Sequence, residues 1–248
     1  MAGHSKWNNI KHRKGAQDKK RASVFTKIGR EITIAAKEGG GDPGFNPRLR
    51  LAIEKAKSAN MTKDVLERAI KKGTGELAGD EMMEIRYEGY GPCGTAFIVE
   101  CVTDNKNRTA GEVRAAFTKK GGNLGTDGAV SWKFKKVGLI TVSAAGLDSD
   151  EFMMAALEAG AEDVKMEDGS FEIVTDFTEF QTVLGNLTTA GFKYEDAEIT
   201  MLPDNKVDIT DLDTAKKVML LFDTLDDLDD VQDVYADFDI PDDILEKL

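Results

Sequence analysis

The first 21 residues combine positive charge, imidazole rings and an indole ring, and we call residues 1–21 the basic arm. One acidic residue, Asp18, accompanies seven cations there, and His4, Trp7 and His12 lie among them. The cations are Lys6, Lys11, Arg13, Lys14, Lys19, Lys20 and Arg21. Lysine and arginine displace the counterions of a phosphate backbone, and an aromatic ring stacks on an unpaired base. We therefore predict that the basic arm contacts nucleic acid; a solvated arm whose Trp7 folds back onto a core is the weaker alternative.

Two further groups of cations could add phosphate contacts. Lys27 and Arg30 lie on the polar side of the first predicted helix. The loops at residues 104–109 and 119–128 flank a later helix, and their cations are Lys106, Arg108, Lys119 and Lys120. Exposed backbone NH groups in such loops can hold a phosphate. Residues that cap the start of the helix and glycines that terminate it explain the two loops equally well. Both interpretations, phosphate binding and helix termination, therefore stay open.

The same residue types argue against catalysis and metal binding. His4 and His12 have no nearby Cys or carboxylate partners to complete a zinc shell, and Cys93 and Cys101 are the only thiols. The run at residues 89–94 matches a dinucleotide-binding fingerprint, but a strand rather than a helix follows it, so we predict a hairpin turn. No phosphate-binding loop or nucleophile elbow is present. We therefore predict no catalytic residue, no metal and no cofactor.

The charges of the chain are segregated by sign. The 248 residues carry a net charge of −12, but residues 1–75 hold 18 Lys or Arg against 7 Asp or Glu, a net of +11. The remaining residues hold 15 basic and 38 acidic groups, a net of −23. Such asymmetry is typical of a nucleic-acid-facing end attached to an acidic body.

Composition and hydropathy restrict the class of protein. Hydrophobic residues make up 41% of the chain and charged residues 31%, which is typical of a globular protein with two or three compact units. The N-terminus lacks the apolar core of a signal peptide, and no run approaches the roughly 18 apolar residues of a membrane span. We therefore predict a cytoplasmic protein that contacts no membrane.

An acidic run lies at residues 223–230 and includes Asp226, Asp227, Asp229 and Asp230. It lacks the glycine and the terminal glutamate of a calcium-binding loop. The simplest prediction is a solvated face. A sharper hypothesis is that the run repels nucleic acid, and so orients the molecule, or transiently covers the basic arm.

The N-terminal 80 residues favour three helices. The first, at residues 17–37, places apolar side chains on one arc, which are Val24, Phe25, Ile28, Ile32 and Ala35. The second begins with Asn46 as cap and Pro47, and the third runs from Thr62 to Gly73. The third helix carries Lys63, Arg68, Lys71 and Lys72. A helix-turn-helix with a basic reading helix is one interpretation, and a three-helix bundle with a solvated basic face is the favoured one.

The rest of the chain favours two α/β domains. Residues 81–136 predict ββαβ, with a helix that begins at Thr109 in a capping box with Glu112 and a last strand near residues 129–134. Residues 138–202 predict βαββαβ, with Asp168-Gly169 as a hairpin turn, which is the ferredoxin-like order. The last helix and strand, within residues 204–248, cannot bury their apolar side chains against each other alone, so we expect them to pack on residues 81–136. We therefore predict an α+β protein of three domains: 1–80; 81–136 with 204–248; and an inserted 137–203.

Four stretches closely resemble the YebC/PmpR family, and the match runs essentially end to end. They are MAGHSKWNNIKHRKGAQDKKR, YEGYGPCGTAFIVEC, DNKNRT and KKGGNLGTDGAVSW. The resemblance implies a helical domain followed by two α/β domains. It also implies a DNA-binding regulator of transcription, while mitochondrial relatives are linked to translational activation and some bacterial ones to ribosome function. Cys93 stands where the family usually has glycine, which puts the backbone of that turn in question.

These observations together predict a nucleic-acid-binding regulator of gene expression that is not an enzyme. Duplex DNA is the target that the resemblance favours. Ribosomal RNA in the ribosome is the alternative, because a basic arm on an acidic body suits a crowded RNA particle. A protein-interaction adaptor is the third possibility. No small-molecule substrate is evident, and the oligomeric state stays open.

Overall fold

The computed structural model describes residues 17–79, 81–167 and 169–248, with side chains described from residue 23 onward. The described chain divides into two compact units, one of residues 132–205 and the other of the residues before 132 together with 206–248. The fold is α+β, which confirms the predicted class. No helix in these ranges is long and apolar enough to cross a membrane.

The elements of secondary structure follow one another in this order along the chain. The helices are α1 Gln17–Gly39, α2 Pro47–Ser58, α3 Lys63–Gly73, α4 Lys106–Lys119, α5 Ser149–Glu158, α6 Phe180–Thr189, α7 Leu212–Asp226 and α8 Asp242–Leu245. The strands are β1 Met83–Tyr90, β2 Ala96–Thr103, β3 Asn123–Leu124, β4 Phe134–Ser143, β5 Asp163–Glu167, β6 Ser170–Asp176, β7 Tyr194–Pro203, β8 Val207–Asp208, β9 Val231–Ala236 and β10 Phe238–Asp239.

Helices α1 to α3 form a small bundle in which α2 and α3 both pack on α1. Asn46 begins α2 as predicted, because its side chain accepts a hydrogen bond from the backbone NH of Leu49 at 3.0 Å. The predicted apolar arc of α1 is buried at Ile32 and Ala35, whereas Val24 remains 41% exposed. The bundle core also contains Leu49, Ala52, Ala56, Met61 and Ala69.

A glycine allows α1 and α3 to approach closely. A Cβ atom on Gly73 would lie 2.3 Å from the carbonyl oxygen of Thr33 and 2.8 Å from the Cβ of Ala36. Both atoms belong to α1, and the nearer one is backbone, which cannot move without shifting the helix. By contrast, a Cβ on Gly29 in the middle of α1 would meet nothing within 4 Å.

Gly73→Ala and Gly29→Ala are therefore expected to change stability in opposite directions. The first should lower the free energy of unfolding by about 1–3 kcal/mol through overpacking. The second should raise it by about 0.5–1 kcal/mol, because alanine is the better helix former. Denaturant unfolding of the two variants measures both values. A Gly73→Ala protein as stable as the wild type would contradict the close packing of α1 on α3.

The larger unit contains a four-stranded sheet of order β3-β1-β2-β9. Strand β9 pairs antiparallel with β2, so a strand from the end of the chain completes a sheet begun before residue 132. Helices α4 and α7 contribute to the core of this sheet, which is centred on Phe97, Phe117 and Phe222. Helix α1 contacts β2 and β9, and the helical bundle therefore packs on the sheet within the same unit.

Two boundaries predicted in this unit are wrong. Helix α4 begins at Lys106 rather than Thr109, because Asn105 caps it by accepting a hydrogen bond from the NH of Arg108 at 3.1 Å. The strand predicted near residues 129–134 is instead a short 3-10 turn, Ser131–Lys133, that leads into β4. Its backbone cannot join a strand there, because the NH of Ser131 donates to the carboxylate of Glu88 at 2.8 Å.

The glycine-rich run between β1 and β2 is a hairpin turn, as predicted, and not the start of a long helix. Cys93 has a φ of 58°, in the left-handed region that glycine adopts with less strain. Neither cysteine forms a disulfide; Cys93 is exposed and Cys101 is buried. Burial raises the pKa of the Cys101 thiol to about 12.

The unit of residues 132–205 contains an antiparallel sheet of order β5-β6-β4-β7 with the connectivity βαββαβ. This is the ferredoxin-like order that the sequence predicts. Gly138 of β4 admits the ring of Phe180, because a Cβ there would lie 2.4 Å from that ring. Asp168 of the predicted Asp-Gly turn lies outside the described residues, and Gly169 has the positive φ of 80° that such a turn uses.

Candidate nucleic-acid interface

Most residues of the basic arm lie outside the part of the chain that the structure describes. They are His4, Lys6, Trp7, Lys11, His12, Arg13 and Lys14. Lys19, Lys20 and Arg21 belong to α1, but their side chains are also outside the description. Helix α1 begins at Gln17, so the basic arm includes the first residues of α1. The predicted role of these ten residues in nucleic-acid binding stays a prediction.

Lys27 and Arg30 project from α1 onto the acidic run rather than into open solvent. The Nζ of Lys27 lies 2.8 Å from both the carbonyl oxygen and the carboxylate of Asp226, at the C-terminus of α7. Arg30 pairs with Asp230 at 2.9 Å. Only 17% and 16% of the two basic side chains are exposed. Their charges are therefore paired within the protein, and phosphate would have to compete with these carboxylates.

Asp230 is the centre of this contact, and we call Asp230, Arg30, Arg108, Thr103 and Thr109 the Asp230 cluster. Arg108 donates from Nη2 and Nε to the Asp230 carboxylate at 2.8 and 3.1 Å. The hydroxyls of Thr109 and Thr103 donate to Oδ2 at 2.7 and 3.1 Å. The cluster thus joins α1, the end of β2, the first turn of α4 and the residue before β9.

The solvated face predicted for the acidic run is wrong at Asp230, whose side chain is 2% exposed. Burial alone would raise the pKa of Asp230, but the hydrogen bonds from Thr109 and Arg108 and the charge of Arg30 together lower it. Asp227 and Asp229 are exposed, as predicted. The run therefore alternates between structural carboxylates that hold α1 and exposed ones that face solvent.

The cations predicted to contact phosphate around α4 lie at both ends of this helix, and their role stays a prediction. Lys106 and Lys119 occupy opposite ends of α4, about 20 Å apart at 1.5 Å per residue, and Lys120 follows Lys119. Helix α4 also carries Arg114 and Arg108, and Arg108 is held by Asp230 and by Asp104, each at 2.8 Å. Contacts from this helix to one phosphate group are therefore limited to one end at a time.

The NH groups of the glycine-rich loop after α4 are largely committed inside the protein. The carboxylate of Glu88 accepts hydrogen bonds from Gly128, Val130 and Ser131 at 2.7–3.1 Å. Burial alone would raise the pKa of Glu88, but these backbone donors lower it. The NH of Gly128, at the end of this loop, therefore donates to a carboxylate of the chain, and the predicted phosphate contacts of the loop stay a prediction.

Helix α3 presents the clearest basic surface of the described bundle. Its cations Lys63, Arg68, Lys71 and Lys72 are all exposed. Asn60 precedes it with a φ of 59°, and α3 packs on α1 through Ala69. This is the favoured three-helix bundle with a basic outer face, and we call these four cations the α3 face.

The open face of the ferredoxin-like sheet does not suit nucleic acid. Its helix-covered face carries Phe171, whose ring centre lies 4.3 Å from that of Phe152 in α5. The strand registers place six carboxylates and two lysines on the opposite face. They are Lys135, Asp163, Lys165, Glu167, Glu172, Asp176, Asp196 and Glu198. RNA-recognition sheets of this topology instead stack bases on aromatic side chains.

Two exposed aromatic residues were missed by the sequence analysis. Phe45, in the loop before α2, is 88% exposed, and Trp132, in the turn before β4, is 70% exposed. The run WKFKK at residues 132–136 alternates aromatic and basic residues, and that pattern could have identified it. Among the described side chains, no three His, Cys, Asp or Glu residues converge on a metal site.

Two family models match the chain. The model described as the TACO1/YebC protein N-terminal domain matches residues 5–76, and that of the TACO1/YebC second and third domain matches residues 82–238. The chain is thus similar to this family over most of its length.

Two relatives and one solved structure are similar over nearly the whole chain. A "probable transcriptional regulatory protein" of Fusobacterium nucleatum is 74% identical, and the "transcriptional regulatory protein PmpR" of Pseudomonas aeruginosa is 55% identical, each over 100% of both chains. The crystal structure of a conserved hypothetical protein from Aquifex aeolicus has a TM-score of 0.83 and 49% identity, and covers 92% of this chain and 94% of that one.

Proposed function

From the membership of this chain in the TACO1/YebC family, we infer that it is a regulator of gene expression that binds nucleic acid. The observation that carries the proposal is the segregation of charge, with +11 in residues 1–75 and −23 in the remainder. Negatively charged phosphates attract residues 1–75 and repel the rest of the chain. Residues 1–75 therefore face the nucleic acid. The protein acts by binding and not by turnover.

The basic arm and the α3 face are the proposed contacts. In the bundle, the cations Lys27 and Arg30 are paired with carboxylates, whereas the α3 face is exposed. We therefore assign phosphate binding to the arm and the α3 face, and a structural role to the two paired cations. The arm adds Trp7 for stacking.

Duplex DNA is the first proposed target, because relatives at 74% and 55% identity bear the names of transcriptional regulators. Ribosomal RNA is the second candidate. The exposed rings of Phe45 and Trp132 favour it, because unpaired bases in RNA loops stack on such rings while a duplex hides its base faces. The third candidate, a protein adaptor, predicts that removal of residues 1–21 leaves the function intact.

Binding of the purified chain to duplex DNA, structured RNA and intact ribosomes at several salt concentrations tests the proposal. A nucleic-acid contact is expected to give an affinity that falls linearly, on logarithmic axes, with salt. Tighter binding to a particular duplex supports transcriptional control, and tighter binding to RNA or ribosomes supports a translation factor. Absence of binding to all three would overturn the proposal in favour of the adaptor.

A further inference from the structure

We propose that Trp132, Lys133, Lys136 and Phe177, which we call the Trp132 patch, form a second nucleic-acid site that takes an unpaired nucleobase and its phosphate. The proposal rests on the proposed function and extends it to the unit of residues 132–205. It names the class of ligand as single-stranded segments or loops, of RNA or of DNA.

The first argument is the exposure of two aromatic rings. Trp132 is 70% exposed and Phe177 is 41% exposed. Tryptophan is highly buried on average in folded proteins, since its large apolar surface is unfavourable in water. An indole held at the surface therefore indicates a surface that is covered when a ligand binds.

The second argument is the local reversal of charge. Residues 132–205 contain five lysines and no arginine against 15 acidic residues. Three of the five lysines lie within residues 133–136. In a unit that otherwise repels phosphate, this is the segment at which a polyanion can approach.

The third argument is the pairing of the rings with cations. The Nζ of Lys133 lies 6.0 Å from the ring centre of Trp132, and that of Lys136 lies 5.3 Å from the ring centre of Phe177. Each ring thus has a lysine beside it that can contact the phosphate of a base stacked on that ring.

The backbone beside Trp132 is held by a hydrogen bond within the unit of residues 132–205. The carbonyl of Lys133 accepts from the NH of Asp204 at 2.8 Å. Lys133 ends the short 3-10 turn and Lys136 lies three residues further on, in β4. Both cations therefore belong to ordered secondary structure, and little backbone ordering is needed on binding.

Fluorescence can report on Trp132 by itself, because the chain has only two tryptophans. In the full-length chain carrying Trp7→Phe, an unpaired oligonucleotide is expected to quench the emission of Trp132 in a saturable manner. Single-stranded RNA, single-stranded DNA and a duplex of the same sequence are compared. Quenching by one single strand over the other identifies the source of the ligand, and quenching by the duplex alone would overturn the proposal.

Affinity measurements supply the second readout. Trp132→Ala is expected to weaken single-strand binding about 5- to 100-fold, the effect of losing one stacked base. The matched control is Met154→Ala, which removes a side chain that is 63% exposed in the same unit and should leave affinity unchanged. Lys133→Ala with Lys136→Ala should reduce the slope of log affinity against log salt by about 0.7 per lost contact, and Lys165→Ala with Lys193→Ala should not.

The outcomes separate this inference from the proposed function. If the wild type binds nucleic acid but Trp132→Ala binds equally well and Trp132 is not quenched, the Trp132 patch is not a site while the proposed function stands. If the wild type binds no nucleic acid, both are overturned.

Discussion

Asp230→Ala is expected to lower the free energy of unfolding by about 3–5 kcal/mol, because it leaves two arginines of the Asp230 cluster without their buried partner. The carboxylate is 2% exposed and is contacted by Arg30, Arg108, Thr103 and Thr109. In a chain of this size, such a loss lowers the melting temperature by roughly 6–20 °C. Denaturant and thermal unfolding measure it.

Asp229→Ala is the matched control, since Asp229 belongs to the same acidic run but is exposed. Its effect should stay within about 0.5 kcal/mol. Combining Asp230→Ala with Arg108→Ala should cost less than the sum of the single substitutions, because both remove the same contact. Equal effects of Asp229→Ala and Asp230→Ala would show that the cluster does not hold α1 to the sheet.

The contribution of Asp230 should also depend on pH. The pKa of Asp230 in the folded state lies below the ordinary value for aspartate, about 3.9, so the stabilisation by its carboxylate is fully present above about pH 4. It is lost as the pH falls through the folded-state pKa, where the carboxylate becomes protonated. The difference in stability between the wild type and Asp230→Asn is therefore expected to shrink below about pH 4.

Removing six cations of the basic arm is the second substitution with a large expected effect. The variant carries alanine at Lys11, Arg13, Lys14, Lys19, Lys20 and Arg21. If all six contact phosphates, the slope of log affinity against log salt should shrink by about 4 to 5, at 0.7 to 0.9 per contact. Affinity at low salt should fall by orders of magnitude, which anisotropy titrations with labelled DNA and RNA can measure.

A variant with the same loss of charge elsewhere controls for the net charge of the protein. It carries alanine at Lys165, Lys193, Lys206, Lys216, Lys217 and Lys247, all outside the helical bundle. Because these lysines lie in the acidic part of the chain, the slope should change little. Similar slopes for the arm variant and the wild type would exclude the basic arm as the phosphate contact and favour the adaptor.

Local sequence patterns determined most of the fold. The βαββαβ order, the cap at Asn46 and the hairpin at residues 89–94 follow from side-chain periodicity and turn chemistry over a few residues. Where two local signals competed, the prediction was wrong at α4: Asn105 rather than Thr109 caps the helix. The hydroxyl of Thr109 is used by Asp230, 121 residues away, which no local pattern reveals.

The sequence by itself determined the segregation of charge, the family and the candidate cations, because these depend on residue identity and order alone. Only the tertiary structure decided which charges cancel. Lys27 meets Asp226 across 199 positions and Arg108 meets Asp230 across 122, since the pairing of β2 with β9 brings the end of the chain beside α1 and α4. Contacts between residues so far apart depend on strand order and packing, and this is why the sequence predicted neither the hydrogen bonds from Val130 and Ser131 to Glu88 nor the exposure of Trp132.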